Sequence, residues 1–218
     1  MLPIIECFPV QIPASFQPTD SEHDGVDQNS SGKKCPGQSG DFKPSWGGGM
    51  RAGRVRTQPD GTRKTLLHCA IDIMAAEGAE VRAIGPGKVA RTWKPGANRI
   101  DPGAGWSDKG GNYVVLEQGG WRWYFAHLRD KPLVRPGDAI EAGQLLGYLG
   151  RTGNAVRKRR DGTRYGCPHL HLSLTATELR LRAVARSHGI EVIGNKADPA
   201  PLLKPLFDAG GWRSGSST

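Results

Sequence analysis

From Trp46 onward, glycine cuts the chain into short apolar runs at residues 80–84, 88–93, 113–117, 121–126 and 145–149. That punctuation confines the chain to short strands joined by tight turns. With 31 glycines, 16 prolines and an apolar fraction of 37%, a helical bundle is disfavoured and the expected fold class is mainly β, built of antiparallel sheets. The length of 218 residues suits one domain with appendages or two small domains, and a core can form without metal or disulfide support. Residues 94–111 and 151–166 are polar, glycine-containing and aperiodic, which predicts long surface loops. Residues 11–41, rich in Ser, Asp, Gly, Gln and Pro, read as a mobile or loosely packed segment. The stretch 175–187 has helical composition, with Leu179, Leu181, Val184 and Ala185 spaced for one buried face. The expected organisation is an irregular N-terminal segment at 1–45, a main domain at 46–175, and a C-terminal helix and tail at 176–218.

The histidines add a chemical constraint. In the run around Pro168, strand alternation puts His169, His171 and Ser173 on one face and Leu170, Leu172 and Leu174 on the other. Two histidines two apart on a strand converge on one point, a pattern suited to metal binding or catalysis. Together with His68, Asp72 and His127 they supply four histidines and one aspartate that one zinc site could use. His23 and His188 read as surface or satisfied core residues. His68 and Asp72 are four apart, which on an extended strand would separate their Cα atoms by about 13 Å and prevent shared coordination. The stretch is therefore either a helix, which Leu66, Leu67, Ala70, Ile71 and Met74 tolerate, or a strand bent sharply between the two residues.

The formal charge of +9 favours an acidic partner such as nucleic acid, an anionic cell-wall polymer or a membrane surface. Nucleic acid is disfavoured, since neither zinc-finger spacing nor an aromatic-rich strand of the RNA-binding type occurs. Cys7, Cys35, Cys69 and Cys167 allow three pairings and show no Cys-x-x-Cys motif. A Cys7–Cys35 staple of the N-terminal segment and four free thiols both remain open. The first ten residues lack a basic region and are interrupted by Glu6 and two prolines, so they do not read as a signal peptide. No apolar run is long enough to span a bilayer.

A family resemblance emerges from the spaced motifs. They are His68-Cys-Ala-Ile-Asp72-Ile, Gly78-Ala-Glu-Val-Arg-Ala83, Gly87-Lys-Val89, Tyr124-Phe-Ala-His127-Leu, the glycine-spaced stretch 134–147, Gly150-Arg-Thr-Gly153 and Pro168-His-Leu-His-Leu172. In this order they resemble the lysostaphin-type, or LytM-type, zinc peptidoglycan endopeptidases across residues 46–174. Two departures stand out: Ala70 replaces the family's usual glycine, and the loop before Pro168 is longer than in most members. That loop carries Arg151, Arg157, Lys158, Arg159, Arg160 and Arg164, and reads either as a solvated loop or as one wall of a substrate groove. The stretch 134–147 also resembles biotinyl and lipoyl carrier domains, but the modifiable lysine turn is missing and the histidines would go unexplained.

The resemblance implies antiparallel sheets with a groove, and zinc held by His68, Asp72 and His171 with a fourth position open to water. It makes His169 the general base, and His127 a group that orients water or stabilises the oxyanion. The implied activity is hydrolysis of peptide cross-links between peptidoglycan stems. A non-catalytic LytM-like module that binds wall or activates an amidase is the alternative, disfavoured because all five positions are filled. Action in the periplasm or cell wall is implied, and without a visible signal peptide the expected route is non-Sec. The options are a type VI secreted antibacterial effector with a cognate immunity protein, a phage-type lysin, or a chain shown without its leader.

Overall fold

Two adjacent eight-residue strands organise the molecule. In the computed structural model, Trp121–Leu128 (β9) and His169–Ala176 (β14) pair antiparallel in the register His171↔Ala126 through Ala176↔Trp121. Their core faces carry Trp121, Trp123 and Phe125 from one strand and Leu170, Leu172 and Leu174 from the other, all at most 1% exposed. Alternating large apolar side chains make this face a core surface, and each fully buried leucine contributes roughly 2 kcal/mol. The structure describes residues 1–13, 35, 43–46, 49–50, 54–58, 60–92, 109–158, 161–162 and 164–213.

The remaining strands, in chain order, are β1 (Val10–Gln11), β2 (Ser45–Trp46), β3 (Arg54–Thr57), β4 (Arg63–Leu66), β5 (Ile71–Met74), β6 (Glu80–Arg82), β7 (Gly87–Thr92) and β8 (Asn112–Gln118). After β9 come β10 (Ala139–Ile140), β11 (Leu145–Tyr148), β12 (Arg157–Lys158) and β13 (Arg164–Tyr165), and after β14 come β15 (Val192–Ile193) and β16 (Lys196–Ala197). Nine strands form an antiparallel sheet along the path β10-β7-β8-β9-β14-β16-β15, with β5 also paired to β14 and β2 to β5. A second sheet, β1-β6-β11, contributes Val10, Val81 and Leu146 to the same core as the large sheet. The large sheet thus has one face packed against apolar residues. Its other face carries a small cluster of Tyr113, Val115, Ala126 and Tyr124, together with the histidines of β14.

The five apolar runs become β6, β7, β8, β9 and β11, and the mainly β reading holds. Residues 1–13 join the core through Phe8, Val10 and Ile12. Gln118 clasps them by accepting the Ile4 N–H at 2.9 Å and donating to the carbonyls of Ile4 and Pro86. The rest of the segment anticipated to be irregular, at 14–34 and 36–42, lies outside the described residues, as do 94–108 of the loop expected at 94–111.

The C-terminal part departs in detail from the sequence reading. The helix α1 (Leu179–Ser187) buries Leu181 and Ala185 but leaves Leu179 exposed. A second helix, α2 (Ala200–Asp208), forms in the part where one helix and a tail were expected. Pro199 and Pro201 sit at its start, where a missing N–H costs nothing, and Asp198 Oδ1 accepts the Ala200 N–H at 3.0 Å. The segment 151–166 is likewise more than a surface loop. It holds a 3-10 turn at Gly153–Ala155 and the hairpin β12–β13, and its first cation, Arg151, is buried rather than facing a groove. Arg159 and Arg160 lie outside the described residues. Cys35 is disulfide-bonded to Cys167, and Cys7 and Cys69 are free, so neither the Cys7–Cys35 staple nor four free thiols describes the protein. Among the described residues no helix is long and apolar enough to cross a membrane.

Candidate metal centre

Register places the first two donors. His171 on β14 lies opposite Asp72 on β5 and opposite Ala126 on β9, and directly opposed residues project to the same face. Asp72 Oδ1 accordingly stands 3.2 Å from His171 Nδ1. A tight turn supplies the third. The Ala70 N–H donates to the His68 carbonyl at 2.7 Å, which folds the chain back just ahead of β5 and puts His68 Nε2 3.2 Å from Asp72 Oδ1 and 3.0 Å from His171 Nδ1. Of the two local conformations open to the sequence, the sharp bend is the one adopted. Ala70 is buried within it, 1% exposed.

Among the described residues, His68, Asp72 and His171 form a group whose donor atoms all lie within 4.8 Å of one another. Bonds of about 2.0–2.1 Å from a tetrahedral zinc to nitrogen or oxygen would set donor-to-donor edges of about 3.3 Å. The observed separations of 3.0 to 3.2 Å fit such an ion, and two imidazoles with one carboxylate are a zinc donor set. Burial pushes the Asp72 carboxyl up, but hydrogen bonds from His171 and His68 outweigh it and hold the group well below the usual carboxylate range. Burial pulls His68 down, and its contact with Asp72 more than reverses that.

His169 and His127 border this group. Their ring centroids are 4.7 Å apart, and His169 Nε2 is 3.9 Å from Asp72 Oδ1. His169 Nδ1 lies 2.8 Å from the Cys167 carbonyl and His127 Nδ1 lies 2.8 Å from the Thr152 carbonyl. A carbonyl oxygen only accepts, so each Nδ1 carries a proton, and in the neutral ring it is Nε2 that keeps the lone pair. Burial pushes both pKa values below the ordinary histidine range, His127 the further, with neighbouring histidines adding to the effect on it. Both shifts favour the neutral ring, in which Nε2 can accept a proton.

His127 reaches this face through a break in alternation. Trp121, Trp123 and Phe125 face the core, and regular pleating would send His127 after them. Instead Ala126 pairs with Tyr113 and Leu128 with Asn112, leaving His127 as the extra residue of a bulge at φ 68°. That left-handed conformation costs a non-glycine residue about 1–3 kcal/mol. The turn around it compensates: the His127 N–H donates to the Gly110 carbonyl at 2.8 Å, and Gly110 must lack a side chain because a Cβ would collide with the Tyr124 hydroxyl.

The supports of this bulge escaped the sequence reading. Thr152 Oγ1 donates to the Leu128 carbonyl at 2.6 Å and accepts the Asn112 N–H at 2.9 Å, while its own carbonyl orients His127. The preceding residue, Arg151, is fixed by buried bonds of 3.0 and 2.6 Å from Nε and Nη2 to Glu77 Oε2. The Gly150-Arg-Thr-Gly153 motif carried a signal for these roles, but Glu77 carried none. His188 sits exposed at the C-terminal end of α1, and His23 lies outside the described residues.

Comparison with known proteins places the chain in a family. Residues 66–182 match the family model described as Peptidase family M23. The chain is 31% identical to lysostaphin of Staphylococcus simulans over 108 residues, covering 48% of this chain and 17% of that protein. It is 32% identical to the glycyl-glycine endopeptidase ALE-1 of Staphylococcus capitis over 107 residues, covering 48% and 23%. It therefore spans about a fifth of the length of these relatives. The solved catalytic domain of lysostaphin from Staphylococcus simulans is similar at 26% identity and a TM-score of 0.47, covering 73% of this chain and 92% of that one. Zinc is the metal of this group of peptidases, and the matched residues 66–182 include His68, Asp72, His127, His169 and His171. The chain belongs to peptidase family M23.

Proposed function

We propose that this protein is a zinc-dependent endopeptidase that hydrolyses peptide cross-links of bacterial peptidoglycan. The observation that carries the reading is the convergence of His68, Asp72 and His171 within bonding reach of one ion, beside His127 and His169, whose Nδ1 atoms face backbone carbonyls. In this reading His68 Nε2, Asp72 Oδ1 and His171 Nδ1 hold the zinc. The bound ion supplies the Lewis acidity that polarises the scissile carbonyl. His169 Nε2 takes a proton from the attacking water and returns it to the leaving amine. His127, neutral and with its Nδ1–H committed to Thr152, presents a lone pair that orients this water. Wall peptides carry anionic groups, and the net charge of +9 favours their approach.

Action in the periplasm or cell wall suits the Cys35–Cys167 disulfide, which persists in oxidising compartments. The reading extends to an antibacterial effector, delivered by a type VI secretion system and neutralised by a cognate immunity protein over the groove. The direct test is zinc stoichiometry followed by turbidity loss of purified sacculi. One bound zinc with falling turbidity is expected. A metallated protein that leaves sacculi intact would favour the non-catalytic module. Expression directed to the periplasm should lyse cells, whereas cytoplasmic expression should not.

A further inference from the structure

The face of β14 that carries His169 and His171 continues to Ser173 and Thr175, and both hydroxyls accept a hydrogen bond from Lys196 Nζ, at 3.2 and 2.7 Å. Lys196 comes from β16, where it pairs with Thr175, and lies beyond the residues that match the family. The strands β5 and β16 follow one another along the same edge of β14, Ile71 opposing Leu172 and Ala197 opposing Leu174. The lysine therefore enters the histidine-bearing face just beyond the start of β5. Two residues along a strand span about 7 Å, so the ammonium on Ser173 stands roughly that far from His171.

This cation is partly buried, and among the described residues it hydrogen-bonds two neutral hydroxyls rather than a carboxylate. Burial also lowers its pKa, the Cys69 thiol opposing the effect. An ammonium stripped of part of its water and given no counter-ion is improved by an incoming anion. Ser173 and Thr175 hold it in one place, which reduces the conformational entropy lost on binding.

We propose that Lys196, seated on Ser173 and Thr175, is a subsite for a free carboxylate of the peptide substrate, about two residues from the bond that is cut. The inference rests on the peptidase reading above and adds to it a determinant of substrate choice: a free carboxylate is preferred over its amide.

The test uses the zinc-loaded protein on two walls, native sacculi and sacculi whose free carboxyls have been converted to carboxamides. The expected preference for the native wall is on the order of tenfold. Lys196→Met should bring that ratio close to one, and Lys196→Arg should keep most of it. Lys88→Met, an equal charge change at an exposed position on β7, should leave the preference as in the parent and so corrects for general attraction to the wall. An unchanged preference in Lys196→Met overturns the proposal. A second arm is independent of turnover: acetylation of Lys196 by an amine-reactive ester, read by peptide mass mapping. N-acetyl-D-alanine should slow this labelling several-fold and N-acetyl-D-alaninamide should not; equal labelling in the two overturns the subsite. If neither wall is cut, the peptidase reading fails, and the labelling arm still decides the role of Lys196.

Discussion

His127 Nδ1 lies 2.8 Å from the carbonyl oxygen of Thr152, a contact that exists only because His127 is the extra residue of a bulge. Thr152 serves the bulge twice, since its hydroxyl also ties Leu128 to Asn112. Thr152→Val keeps the shape and removes the hydroxyl, leaving the Leu128 carbonyl and the Asn112 N–H without it. A loss of about 1–3 kcal/mol is expected in urea unfolding, with zinc content unchanged and sacculus hydrolysis reduced several-fold.

The proposed division of labour separates two classes of substitution. His169→Ala should retain near-normal zinc and lose about 10²–10⁴-fold in wall hydrolysis, because it removes a proton acceptor and no donor to the metal. His171→Ala and Asp72→Ala should lower zinc content itself, as measured by metal analysis after dialysis. A fully metallated His171→Ala protein would contradict the ligand set.

Metal removal should resemble the second class. A strong chelator should abolish hydrolysis and lower the thermal midpoint, because three side chains from a turn and two strands lose their common partner. Stoichiometric zinc should restore both. Calorimetry with and without the ion provides the measurement.

Glu77 and Arg151 form an ion pair in which both side chains are almost fully buried. Glu77→Ala leaves the guanidinium buried without this carboxylate, and a loss of about 3–5 kcal/mol is expected. Replacing both partners with apolar residues should recover much of the stability, which separates the cost of removing this carboxylate from a buried cation from the worth of the pair. Denaturant midpoints of the two variants decide this.

Reduction of Cys35–Cys167 should destabilise the protein by up to about 4 kcal/mol, because 132 residues separate the cysteines and long loops lose the most entropy on closure. It should also weaken hydrolysis, since the Cys167 carbonyl orients His169. Unfolding with and without reductant, repeated on Cys35→Ser, tests whether this bond is responsible.

The strands were legible because strand periodicity is local. The leucines at 170, 172 and 174 mark a core face from their spacing alone, and His169 and His171 must then face away from it. The same logic misleads at His127, where alternation assigns a core face and the bulge overrides it. The helix α2 was not legible, and of its prolines only Pro205 lies in the helix interior, where the burial of Leu203 against the core offsets its cost.

By itself, then, the order of residues determined which side chains could serve a metal and that short antiparallel strands would carry them, because residue chemistry and a two-residue period are properties of neighbours in sequence. Only the tertiary structure decided that the chain turns back at Cys69 rather than coiling into a helix, that Cys167 bonds to Cys35, and that Thr152 and Lys196 flank the histidines. Each of these depends on partners tens of residues away, whose register is set when the two sheets bury a common core.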